Sequence, residues 1–151
     1  MIKVFIVDDH TIVETKGLPA IPGGNERILF IDDEKDLVDI GERMLRHLGY
    51  EVVATTSSIK AMEIFRAKPD KFDLVITDQT MPNMTGATLA GELLRIRPGI
   101  PIILCTGFSD VITPEKPKAS GIRKFVMKPI AIDRIAETIR RVLNSQPVTR
   151  N

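Results

Sequence analysis

Four short apolar runs in this chain each end in polar residues. Ile28-Leu29-Phe30-Ile31 runs into Asp32-Asp33, and Leu74-Val75-Ile76-Thr77 runs into Asp78. Ile102-Ile103-Leu104-Cys105 runs into Thr106, and Phe125-Val126-Met127 runs into Lys128-Pro129. A strand apolar along its whole length has no face for water, so both its faces must be covered. Segments of helical periodicity lie between the runs, and strands alternating with helices give a parallel sheet. Right-handed crossovers then limit the fold class to α/β, a doubly wound parallel sheet. Such sheets bind ligands beyond the carboxyl ends of their strands, where strand order reverses. The polar residues occupy those ends, so three carboxylates, a hydroxyl and an ammonium should converge.

The coarse order of elements follows from pattern and punctuation. Arg27 to Ile31 reads as a strand. The next segment, 34–48, carries Leu37, Ile40, Met44, Leu45 and Leu48 at helical spacing, and Gly49 is placed to cap it. Tyr50 to Ala54 is a strand, and Ser57 or Ser58 can cap a helix through Ala61, Met62, Ile64 and Phe65. Phe72 to Thr77 is a strand. Residues 86–96 form a helix with Leu89, Leu93, Leu94 and Ile96 inward, stopped by Pro98-Gly99. Pro101 to Cys105 and Ile122 to Met127 are strands, and 131–143 is a final helix. Between Thr113 and Ser120 a fourth helix is expected to be short or distorted, because Pro117 removes a backbone donor.

Composition narrows the function. The 151 residues suffice for one domain with a core. Lys and Arg number 21 against 20 Asp and Glu, without the basic excess of a nucleic-acid-binding domain. No apolar run reaches the roughly 20 residues of a membrane span, and no secretory signal is visible, so a cytoplasmic protein is expected. Cys105 reads as a small core residue. His10 and His47 do not form a metal pair.

Carboxylates gathered at one sheet edge repel one another and raise their own pKa values unless a cation joins them. Mg²⁺ suits such a set, with Mn²⁺ as the alternative, because it takes one or two carboxylates and keeps waters that a phosphate can displace. Lys128 can pair with Asp78 and then with a phosphoryl oxygen. Thr106 can donate to the same group. A carboxylate nucleophile forms an acyl phosphate, and in-line transfer needs mainly positioning and charge neutralisation. Each residue alone has a plainer reading: Asp32-Asp33 as a helix start, Asp78 as a turn residue, Thr106-Gly107 as a loop and Lys128 as a solvated lysine. Their joint placement favours the phosphoryl site.

Residues 26–146 resemble a response-regulator receiver domain of two-component signalling. The resemblance is carried by Asp32-Asp33, by Asp78 with Met81-Pro82, Met84 and Gly86, by Thr106-Gly107 and by Lys128-Pro129. It implies a flavodoxin-like sheet of five parallel strands in order 2-1-3-4-5, with five helices. It implies Asp78 as phosphoacceptor, Asp33 as a direct Mg²⁺ ligand and Asp32 as the outer acid holding metal-bound water. The main-chain carbonyl of Thr80 would be the third protein ligand. Thr106 and Lys128 would contact the phosphoryl group, Phe125 would be the switch aromatic, and Lys128-Pro129 would be cis. The donor would be a sensor histidine kinase or a histidine phosphotransfer domain, and an unknown downstream protein would read the switch. The family assists its own phosphorylation and dephosphorylation rather than turning over a substrate. Gly107-Phe108-Ser109 and Gly121-Ile122-Arg123 are most similar to receivers attached to hybrid sensor kinases. Two other readings stay open, a non-phosphorylated receiver-like interaction module and an aspartyl-nucleophile phosphatase. The phosphatase wants a second Asp where this chain has Thr80. A dinucleotide-binding domain would want glycines where Asp32-Asp33-Glu34 stands.

Ile2 to Asp9 nearly repeats residues 26–33, like the first strand of a second receiver. Residues 14–25 hold two Pro and three Gly, a linker composition. Residues 1–25 therefore read as an extension, a fusion remnant or a leader, and 147–151 as a tail. One strand builds no core, so the repeat is expected to pair with an edge of the sheet, between molecules in a dimer.

Overall fold

The computed structural model describes residues 4–6, 12–14, 21–107 and 121–145. Two short strands come first, β1 (Val4–Ile6) and β2 (Ile12–Glu14). Then follow β3 (Arg27–Ile31), α1 (Lys35–His47), β4 (Glu51–Thr55), α2 (Ser58–Ala67), β5 (Leu74–Asp78) and α3 (Gly86–Ile96). The chain continues with β6 (Ile102–Thr106), β7 (Lys124–Met127) and α4 (Ile132–Asn144). The helix expected between Thr113 and Ser120 falls outside the described residues.

The sheet runs β4-β3-β5-β6-β7, and every pairing in it is parallel. Counted within the sheet this is the 2-1-3-4-5 order. It reverses between β3 and β5, so the crevice of the doubly wound sheet opens at their carboxyl ends. β5 and β6 are buried at every position, which accounts for their unbroken apolar sequence. One core cluster joins Leu29, Ile31, Val75 and Leu104 to Phe65 of α2 and Leu89 and Leu93 of α3. The other joins Ile28, Phe30, Ile76 and Ile103 to Val38 and Leu45 of α1 and Ile135 and Ile139 of α4. Each fully buried Leu, Ile or Phe contributes roughly 1.5–3 kcal/mol over its exposed state.

Local chemistry sets the helix ends. Gly49 adopts φ +105°, its N–H reaches the Arg46 carbonyl at 2.9 Å, and the Tyr50 N–H reaches the Leu45 carbonyl at 3.1 Å. This is a Schellman ending, which needs a residue at ease in the left-handed region. Ser57 caps α2, accepting from the Lys60 N–H at 3.0 Å. Thr85 caps α3, accepting from the Thr88 N–H at 3.2 Å.

Two details lie outside the sequence pattern. Ile40 is not inward: Val38 and Leu45 are the buried positions of α1, and Ile40 is 48% exposed. At about 100° per residue it stands roughly 200° round the helix from Val38. Within its own chain, the described strand of the N-terminal repeat, β1, does not join the large sheet. β1 pairs antiparallel with β2 in a two-stranded sheet, in the register Val4↔Glu14, Phe5↔Val13, Ile6↔Ile12. A nearby return segment closes a short loop at little entropic cost, whereas the sheet edge is remote along the chain. β2 ends at Glu14, the first residue of the segment whose composition predicts a linker, and no sequence signal marks it.

Candidate functional site

Strand ends bring the predicted residues together. Asp32 directly follows β3, Asp78 ends β5, Thr106 ends β6 and Lys128 follows β7. Asp32, Asp78 and Thr106 are buried, at 3%, 5% and 6% exposure, and Asp33 is half-buried. Ligand oxygens of Asp32, Asp33 and Asp78 all lie within 4.8 Å of one another.

Lys128 bridges two of these acids. Its Nζ stands 2.8 Å from Asp78 Oδ1 and 2.9 Å from Asp32 Oδ2. The Asp78 pair is the one expected from the sequence, and the Asp32 pair is not signalled there. Asp32 is aimed by its own backbone, because Oδ1 accepts the Glu34 N–H at 3.0 Å and leaves Oδ2 for the ammonium. Lys128 is aimed by the sheet: its N–H donates to the Thr106 carbonyl at 2.8 Å, and the Lys128-Pro129 bond is cis.

The electrostatics follow from burial. Desolvation pushes the Asp78 carboxyl up to about 6, a bond from Lys128 opposes this, and the negative charge of Asp32 adds to it. Burial disfavours the Lys128 ammonium, but its bonds to Asp78 and Asp32 outweigh that and hold it above the usual lysine range. Cys105, beside the site on β6, is buried and its thiol is pushed up to about 12 by desolvation. It is a neutral core group, as its sequence context predicts.

Thr106 donates its hydroxyl to the Met127 sulfur at 3.4 Å, a contact the sequence did not signal. Phe125 pairs with Leu104 in the β6–β7 register, so it shares a sheet face with Thr106 two residues on. It is half-buried and packs against the α2–α3 core. Thr80 lies in the β5–α3 loop with its side chain exposed. That loop is pinned by buried Met81 and by a 3.4 Å bond from Ser58 Oγ to the Pro82 carbonyl. Asn83 takes φ +73° within it, a conformation Asn tolerates better than most residues.

Three oxygen donors around one point, with a single ammonium among them, fit a hard divalent cation of the Mg²⁺ type. A buried, positioned carboxylate beside a cation is also suited to nucleophilic attack on phosphorus.

A parallel 2-1-3-4-5 sheet with this acid cluster at its switch point defines a class, the receiver fold. The family model for the response regulator receiver domain matches residues 28–140, and the chain belongs to that family. Among curated proteins, the two-component response regulator ARR12 of Arabidopsis thaliana is 34% identical over 120 residues, which is 80% of this chain and 20% of the relative. The sensor kinase CckA of Brucella abortus is 30% identical over 123 residues, 82% of this chain and 13% of the relative. The chain thus spans a fifth or less of either protein. Their identities are similar, so likeness does not single out kinase-attached receivers. A response regulator receiver domain from Clostridium thermocellum superposes with a TM-score of 0.75 at 28% identity, over 79% of this chain and 94% of the other. The receiver domain of the sensor histidine kinase PA1611 from Pseudomonas aeruginosa, solved with magnesium in its active-site cleft, has a TM-score of 0.71. It covers 81% of this chain and 100% of the other, and at 22% identity it supports the fold.

Proposed function

We propose that the chain is a phosphoacceptor of a two-component pathway, taking a phosphoryl group onto Asp78 from a phosphohistidine of a sensor kinase or histidine phosphotransfer domain. The carrying observation is Asp78 at the end of a fully buried strand, 2.8 Å from Lys128 Nζ and grouped with Asp32 and Asp33. An Asp78 carboxylate oxygen attacks phosphorus, the P–N bond to the donor imidazole breaks, and its electron pair returns to that nitrogen, which takes up a proton. Lys128 holds one Asp78 oxygen and pairs with the incoming phosphoryl oxygens. Thr106 donates its hydroxyl to the same group, leaving the Met127 sulfur. Asp33, Asp78 and the Thr80 main-chain carbonyl would hold Mg²⁺ directly, and Asp32 through water; Mn²⁺ would substitute. When bound, the ion neutralises the charge gathered on carboxylates and phosphoryl oxygens.

Movement of Thr106 toward the phosphoryl group vacates space on the face it shares with Phe125, and the Phe125 ring turns into it. A downstream protein reads that change at the β7 side of the molecule. The chain acts in the cytoplasm as a signalling module and not as a turnover enzyme. Among the described residues no helix is long and apolar enough to cross a membrane. Incubation with Mg²⁺ and a small phosphodonor, followed by mass spectrometry, tests the reading. One added phosphoryl group that maps to Asp78 is expected. No uptake with a functional donor would support the non-phosphorylated interaction module instead. Hydrogen exchange confined to the face opposite β7 after phosphorylation would refute the switch.

A further inference from the structure

The residue after the acceptor makes contacts that its sequence position does not announce. Gln79 continues β5 by one bond, its N–H donating to the Cys105 carbonyl at 2.9 Å. Its carbonyl accepts the Gly86 N–H at 2.9 Å. Its side-chain Oε1 accepts the Ala87 N–H, also at 2.9 Å. Those two N–H groups belong to the first turn of α3, where no carbonyl within the helix can reach them. Thr85 accepts the next N–H, that of Thr88. One residue therefore ties the start of α3 directly to the end of β5 and closes the loop 80–85 at its neck. Gly86 sits so near that a Cβ there would come within 2.1 Å of the Asp78 carbonyl oxygen.

We propose that Gln79 is the positioning residue of the cation site. By clamping both ends of the loop, it fixes the main chain on either side of Thr80, and with it the backbone carbonyl and the Asp78 carboxylate. The inference rests on the reading of Thr80 and Asp78 as ligands. Such a residue touches neither the ion nor the phosphoryl group. Its loss should appear in cation affinity, because groups that orient ligands typically change affinity by about 10–100-fold when removed.

The test is Mg²⁺ titration of the full chain, followed by NMR, for the wild type, Gln79→Met and Gln79→Glu. Met matches the length of Gln and puts a methyl group where the amide oxygen stands; Glu keeps an acceptor oxygen there. Gln79→Met should bind Mg²⁺ about 10-fold more weakly. Its Ala87 amide should lose exchange protection, and its unfolding midpoint should stay near that of the wild type. Gln79→Glu should bind at least as tightly as the wild type. With a small phosphodonor, Gln79→Met should be slow at limiting Mg²⁺ and recover at saturating Mg²⁺. Wild-type affinity in Gln79→Met overturns the proposal. So does weakened affinity in Gln79→Glu, or an affinity loss matched by loss of folded protein. A wild-type chain that binds no Mg²⁺ overturns the underlying site reading, an outcome distinct from these.

Discussion

Asp78 carries its charge in a place that resists it. Its carboxyl is pushed to about 6 chiefly by burial, so folding favours the protonated form. An acid with a raised folded pKa contributes stability fully present below its unfolded pKa, near 4, and lost as pH rises through about 6. Asn mimics the protonated acid. In ion-free buffer Asp78→Asn should therefore exceed the wild type in stability at pH 7, by on the order of 2–3 kcal/mol, and lose that advantage below pH 4. Urea unfolding of both proteins across this range measures it, and the same variant should take up no phosphate. Equal stabilities at pH 7, or labelling of the variant elsewhere, would contradict the assignment. Asp33 and Thr106 separate binding from chemistry. Asp33→Ala should weaken Mg²⁺ binding far more than Thr106→Ala, and NMR titration showing equal affinities would contradict the ligand set.

At the scale of elements, α3 must start close to β5 for the site to form. Gly86 permits this, since a Cβ there would also meet Leu104 Cδ1 at 2.6 Å. The backbone contact with Asp78 cannot be relieved by a rotamer change, so Gly86→Ala should displace α3. The expected loss is about 1–3 kcal/mol of stability, together with weaker Mg²⁺ binding. Thermal unfolding and cation titration of Gly86→Ala check both, and an unperturbed variant would show that the helix start can yield. The elements themselves were legible in the sequence wherever pattern and punctuation agreed. Phe72 to Thr77 predicted β5, Pro98-Gly99 predicted the end of α3, and Gly49 predicted the end of α1. β2 was not legible, because Ile12-Val13 is too short an apolar pair to stand out beside a Gly- and Pro-rich segment.

Over the whole molecule, neither described N-terminal strand, Val4–Ile6 nor Ile12–Glu14, belongs to the large sheet. The segment after them is tied down instead: the Gly24 N–H donates to the Leu48 carbonyl at 3.1 Å, and Arg140 pairs with Glu26. Removing residues 1–20 should therefore leave the unfolding free energy within about 0.5 kcal/mol of the full chain. Glu26→Ala, which leaves the Arg140 guanidinium without its acid, should cost about 1–3 kcal/mol. Chemical denaturation of the two variants decides it, and a large loss from the deletion alone would mean that the hairpin supports the sheet. Sizing the same deletion tests dimer formation through the N-terminal strand, which requires an oligomer that disappears with residues 1–20. The sequence alone determined the fold class and gathered the site, because apolar runs need cover on both faces and parallel strands place their carboxyl ends at one edge. Only the tertiary structure decided that Lys128 spans Asp32 as well as Asp78, that Gln79 clamps the loop carrying Thr80, and that Val4–Ile6 finds its partner in Ile12–Glu14. These are choices among polar partners and chain returns of nearly equal local propensity, and distances in the folded chain settle them.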